Sequence, residues 1–156
     1  MKTIGILALQ GDVEKHGLSL SRAGARPLPV KLERELHSID GLILPGGEST
    51  TIGKLLKRFG LLEPLKERIR EGLPVFATCA GTILLAREIW IELTGKESDQ
   101  TRMDLLDITV SRNAYGPQVE SFETDIPCNL PGMDSVRGVF IRAPVITRIG
   151  QGISRS

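Results

Sequence analysis

Gly41-Leu42-Ile43-Leu44-Pro45-Gly46-Gly47-Glu48-Ser49 is an apolar run that stops at a proline and two glycines and ends on a capping residue. A short apolar run bounded by turn residues reads as a strand buried on both faces. Ser49 or Thr50 can cap the helix that follows, where Ile52, Leu55, Leu56 and Phe59 fall at helical spacing. The same grammar recurs on either side. Thr3 to Leu9 is apolar and gives way to Gln10-Gly11-Asp12, with Asp12 as the N-cap of a helix that runs to Ala23 and stops at Gly24. Leu62 to Arg70 reads as an amphipathic helix closed by Gly72 and Pro74. Pro74-Val75-Phe76-Ala77-Thr78 reads as a third strand, and Ala80 to Ile89 as a helix rich in Ala, Ile and Leu.

Buried strands alternating with helices predict an α/β fold, a three-layer sandwich with a mostly parallel central sheet covered on both faces. Ligands of such sheets bind beyond the carboxyl ends of the strands. Gln10, Gly46-Gly47-Glu48 and Cys79 are therefore expected on one rim. The second half changes character. Glu92 to Met103 is polar and reads as a surface connection. Asp107 to Arg112, Val119 to Asp125 and Val136 to Arg142 alternate and read as strands, separated by Asn113-Ala114-Tyr115-Gly116-Pro117 and Asn129-Leu130-Pro131-Gly132. With no repeat or linker in view, residues 1–156 are expected to form a single domain.

Composition narrows the function classes. An apolar fraction of 40% and a charged fraction of 25% are ordinary for a globular chain. A net charge of +1 points to neither nucleic acid nor an anionic membrane as partner. No apolar run approaches the roughly 18–20 residues that span a bilayer. Met1-Lys2-Thr3-Ile4-Gly5-Ile6 opens directly on a strand without a signal-peptide pattern, so the expected location is cytoplasmic. Cys79 and Cys128 lack C-x-x-C spacing, and His16 and His37 are the only histidines; neither a disulfide nor a metal site is expected.

Thr78-Cys79-Ala80-Gly81 has the form of a nucleophile elbow, with small residues where a strand must turn sharply into a helix. A helix start there favours a thiolate and offers N–H groups to an oxyanion. The competing reading is a small buried core cysteine. Gly46 and Gly47 let backbone approach a ligand closely, and Glu48 beside them can hold a cationic group; an ordinary strand-to-helix loop fits the same residues. Gln10 alone reads as a solvated loop residue. Arg112 and Arg142 end strands, where an Arg either pairs with a carboxylate or stands as a surface charge. Cys128, between Pro127 and Asn129, reads as part of a polar turn and receives no role.

Taken together, Leu9-Gln10-Gly11, Leu44-Pro45-Gly46-Gly47-Glu48-Ser49-Thr50-Thr51, Thr78-Cys79-Ala80-Gly81, Arg112-Asn113 and Val139-Phe140-Ile141-Arg142-Ala143-Pro144 resemble the glutaminase subunits of pyridoxal 5'-phosphate synthase (the PdxT family). These belong to the class I, or triad, glutamine amidotransferases, and the resemblance runs from Met1 to about Ile146. It implies a flavodoxin-like fold of that class, with Cys79 attacking the side-chain amide of L-glutamine to release ammonia. It also implies an oxyanion hole at Gly47 and Ala80 with Gln10 beside it. Gly46, Gly47, Glu48, Ser49, Arg112, Ile141 and Arg142 match the segments that hold glutamine. The implied partner is the barrel-shaped synthase subunit, in a large hetero-oligomer, and no cofactor is implied. The family completes its triad with a His and a Glu in an H-P-E stretch near the C-terminus. That stretch has no counterpart here: Pro144-Val145-Ile146 runs into Thr147-Arg148-Ile149-Gly150-Gln151-Gly152-Ile153-Ser154-Arg155-Ser156, and His16 and His37 fall elsewhere. The family's closing strands and final helix are likewise unmatched. The expectations are a truncated or frameshifted reading, impaired activity, uncovered apolar surface and an open sheet edge. The alternative is a non-catalytic partner that binds glutamine or the synthase.

Overall fold

The computed structural model describes residues 1–91, 94–112, 121–141 and 143–154. The backbone divides into two compact units, the first comprising residues 1–87 and 99–106 and the second residues 88–98 and 107–156.

The first unit is a parallel α/β sheet. Strands β1 (Thr3–Leu7), β2 (Arg26–Val30), β3 (Gly41–Leu44) and β4 (Val75–Ala77) lie in the order β2-β1-β3-β4, and every pairing is parallel. The chain moves outward from β1 to β2 and then back across β1 to β3. With right-handed crossovers, that reversal places the first connection and the later ones on opposite faces. Helix α1 (Val13–Arg22) packs on β1 and β2. Helices α2 (Glu33–Leu36), α3 (Ser49–Arg58), α4 (Leu62–Arg70) and α5 (Ala80–Leu85) form a connected layer in which α2 meets α4, α3 meets α5, and α5 meets β3 and β4. Leu42, Leu44, Ile52, Leu56, Leu65 and Leu84 form the core between this layer and the sheet. β3 is buried along its whole length, as its unbroken apolar run predicts.

One strand has no counterpart among the expected elements, and two local expectations need correction. β2 escapes the sequence because Arg26-Pro27-Leu28-Pro29-Val30 carries two prolines. It is an edge strand, where the missing N–H groups can face away from the ladder. The helix expected from Ala80 to Ile89 ends at Leu85, and Ala86 turns extended (φ −61°, ψ 148°) to start β5 (Ala86–Ile91). The β-branched and aromatic run Ile89-Trp90-Ile91 suits a strand better than a helix. The stretch expected to be a polar surface connection holds Met103, fully buried in the first unit's core, and the short strand β6 (Lys96–Glu97). Met103 N–H donates to Leu84 O at 2.6 Å, which draws the chain inward.

The second unit contains the sheet β10-β7-β5-β6, with β7 (Leu106–Arg112) and β10 (Val145–Ile149) antiparallel. A separate hairpin pairs β8 (Phe122–Leu130) with β9 (Met133–Phe140). Cys128 lies within β8 and not in a turn; the turn is Pro131-Gly132, and stacked Phe122 and Phe140 (4.7 Å) close the open end. The strand start expected at Val119 and the loop 113–117 lie outside the described residues. Among the described residues no helix is long and apolar enough to cross a membrane. On β4, an edge strand of the parallel sheet, Phe76 is 62% exposed.

Gly81 is one of the tightest points of the first unit. A Cβ there would lie 2.3 Å from Leu44 O and 2.7 Å from Leu44 Cβ. Gly81→Ala should therefore destabilise the chain by about 1–3 kcal/mol through overpacking. Gly17, in the middle of α1, has its nearest neighbours at 3.9 Å, and Gly17→Ala should stabilise by about 0.5–1 kcal/mol. Urea unfolding midpoints of the two variants should move in opposite directions from wild type.

Candidate active site

Strands β1, β3 and β4 each end in a turn, and the three turns meet on one rim of the parallel sheet. After β4, Thr78 N–H donates to Leu44 O at 3.1 Å, which fixes the turn to the end of β3. Cys79 then takes φ 46° and ψ −105°, a conformation that costs a non-glycine residue about 1–3 kcal/mol. The turn compensates with short-range bonds. Gly81 N–H donates to Thr78 O (2.9 Å), Ile83 N–H to Cys79 O (3.1 Å) and the Thr82 hydroxyl to Ala77 O (3.2 Å). Cys79 is exposed, which removes the buried-core reading. Ala80 follows it as the first residue of α5, where a helix amide has no intrahelical acceptor.

The turn after β3 lies against the cysteine. A Cβ on Gly46 would be 3.5 Å from Cys79 Cβ. On its other side Gly46 meets the first turn, because a Cβ on Gly11 would lie 2.2 Å from Gly46 O. Gln10 reaches across to the same segment, and its Oε1 accepts from Glu48 N–H at 2.9 Å. Gln10, Gly46, Gly47, Glu48, Ser49, Cys79 and Ala80 thus belong to one constellation.

Glu48, and not Ser49 or Thr50, is the N-cap of α3. Its Oε2 accepts from Thr51 N–H (2.9 Å), the Thr51 hydroxyl (3.0 Å) and the Thr50 hydroxyl, and its Oε1 accepts from Thr50 N–H (3.4 Å). Burial works to raise this carboxyl, but the hydrogen bonds from Thr50 and Thr51 outweigh it and hold the group at about 2. Ser49 cannot cap because its hydroxyl is buried beside Gln100, with Ser49 Oγ donating to Gln100 Oε1 at 3.4 Å. The Thr hydroxyls were detectable in principle, since Glu48-Ser49-Thr50-Thr51 sets them two and three residues beyond a capping carboxylate. Gln100 had no such signal; it sits in a polar stretch far from Ser49 in sequence.

Arg112 closes β7 and Ile141 follows β9, both in the second unit, and Arg142 and Asn113 lie outside the described residues. His16 is in α1 and His37 is the C-cap of α2. Among the described residues neither hydrogen-bonds Cys79.

A strained, exposed cysteine followed by a helix amide and faced by a glycine turn is suited to acyl transfer. Comparison with known proteins gives the family. The sequence model of the SNO glutamine amidotransferase family matches residues 6–155. The chain belongs to that family. Among curated proteins it is similar to the pyridoxal 5'-phosphate synthase subunit PdxT of Roseiflexus castenholzii, 50% identical over 97% of this chain and 78% of that protein. It is also similar to the PdxT subunit of Carboxydothermus hydrogenoformans, 52% identical over 94% of this chain and 73% of that one. A solved glutamine amidotransferase superposes with a TM-score of 0.83 at 45% identity, covering 96% of this chain and 76% of that one. The amidotransferase family and the mostly parallel α/β fold are thus both as the sequence predicts.

The Glu48 cap carries a stability prediction with a definite sign. Its folded-state value is depressed, so its contribution is full above its ordinary 4.5 and is lost as pH falls toward about 2. Glu48→Ala should cost about 1 kcal/mol at neutral pH, as the loss of an N-cap does. In urea unfolding, the gap between wild type and variant should close as pH is lowered through that window.

Proposed function

We propose that the chain is the glutamine-hydrolysing subunit of a pyridoxal 5'-phosphate synthase. The observation that carries the proposal is the elbow itself: Cys79, strained and exposed, lies against Gly46 and directly precedes the Ala80 amide. The names of its relatives supply the pathway. In the proposed reaction the Cys79 thiolate adds to the γ-carbonyl carbon of L-glutamine, with the oxyanion held by the Gly47 and Ala80 amides. The C–N bond breaks, the nitrogen takes up a proton and ammonia leaves. Water then hydrolyses the glutamyl thioester to glutamate and returns the thiol. Glu48 holds the substrate ammonium, and Arg112 and Arg142 its carboxylate, as an amino-acid substrate requires. Gly46, Ser49 and Ile141 complete the glutamine contacts, and Gln10 borders the oxyanion hole. Ammonia passes to the barrel-shaped synthase subunit within a large hetero-oligomer.

Among the described residues neither His16 nor His37 hydrogen-bonds Cys79, and this favours a second reading, a partner that binds glutamine or the synthase without turnover. Under the first reading the polypeptide is impaired. A general base contributes about 10²–10⁴-fold, so ammonia release, assayed with and without the synthase barrel, should fall below that of a relative with a complete triad by that order. Equal turnover would remove the claim of impairment. Under both readings a glutamine-mimicking electrophile should label Cys79, and free glutamine should block it. Failure to label would count against a glutamine site of any kind.

A further inference from the structure

We infer that Thr50 and Thr51 are positioning residues of the glutamine site, acting through the Glu48 carboxylate. The inference rests on the reading that Glu48 receives the substrate ammonium. A Glu side chain has several free torsions, so a useful ammonium ligand must be held in place before substrate arrives. Here the residue is fixed at both ends. Its backbone N–H donates to Gln10 Oε1 at 2.9 Å, and its carboxylate turns back along its own chain onto the start of α3. The cap loads mainly Oε2, which takes the Thr50 hydroxyl, the Thr51 hydroxyl at 3.0 Å and the Thr51 amide at 2.9 Å.

Backbone amides alone would satisfy an N-cap. The two hydroxyls add charge-assisted bonds to the same oxygen from successive residues, and this fixes the plane of the carboxylate. Gly46 and Gly47 immediately precede Glu48, and a Cβ on Gly46 would lie 3.5 Å from Cys79 Cβ. Orientation of the carboxylate therefore bears on where an amino acid is held relative to the nucleophile. Thr51 is exposed and Thr50 half-buried, so replacing their hydroxyls by methyl groups leaves the core intact.

The test uses the 156-residue chain as wild type, Thr50→Val/Thr51→Val and Thr50→Ser/Thr51→Ser, with modification of Cys79 followed by peptide mass. Two reagents are compared: a chloroketone analogue of glutamine, carrying the α-ammonium and α-carboxylate, and iodoacetamide, carrying neither. The ratio of their rates measures recognition separately from thiol reactivity. The Val pair should lower that ratio by about tenfold, the worth of a hydrogen bond to a charged group, and the Ser pair should restore it. A merely structural role would change both reagents together and would not be rescued by Ser. An unchanged ratio in the Val pair, or an equal fall in the Ser pair, overturns the inference. If the Val pair unfolds, Thr51→Val alone carries the same comparison, with the same outcomes deciding. A wild-type chain that shows no glutamine-protected preference for the analogue removes the underlying glutamine-site reading, and this is visible before any variant is made.

Discussion

The end of β3 is shared by three turns, and the shared space leaves no room for side chains. Leu44 O accepts from Thr78 N–H, and the Leu44 backbone occupies the place where any Cβ on Gly81 would go. One residue beyond Pro45, Gly46 O fills the place of a Cβ on Gly11. Glycine is required at both positions because the neighbour is backbone and cannot swing aside. The consequence is a rim on which the ends of β1, β3 and β4 are in mutual contact. Cys79 can hold a left-handed conformation there because its strained torsions are over-determined by the bonds on either side. The geometry of this rim follows from backbone packing first and from side chains second.

Glu48 shows how one residue can serve both levels. As the N-cap it starts α3, whose Ile52 and Leu56 are buried in the core, and through its backbone N–H it ties the turn after β3 to Gln10. The threonine bonds hold it down at about 2, against the opposing effect of burial. Ser49 has the complementary arrangement, with its hydroxyl turned inward to Gln100 on the segment that returns to the first unit.

Much of this was legible in the sequence, for identifiable reasons. β3 could be read because its apolar run is too short for a helix and stops at Pro45-Gly46-Gly47, and the elbow because small residues surround Cys79 where a strand runs into a helix. β2 could not, because prolines at 27 and 29 argue against a strand until its edge position is known. The boundary between α5 and β5 was lost in a run of apolar residues, and the pairing of Trp90 with Glu97 and of Ile91 with Lys96 settles it as a strand. Met103 and Gln100 were invisible for a different reason. Their burial and pairing depend on a return of the chain into the first unit, and long-range returns leave no local period. Cys128 was placed in a turn because Pro127 and Asn129 flank it, whereas β8 continues through it with a register shift beyond Pro127.

The central claim is that the three turns form a site in which Cys79 meets the side-chain amide of glutamine. A crystal structure of the Cys79→Ala chain with L-glutamine tests it most directly. The account predicts the γ-carboxamide oxygen about 3 Å from the Ala80 amide and directed toward Gly47, with the substrate ammonium at Glu48. Glutamine bound with its amide away from residue 79, or bound only elsewhere on the chain, would contradict it.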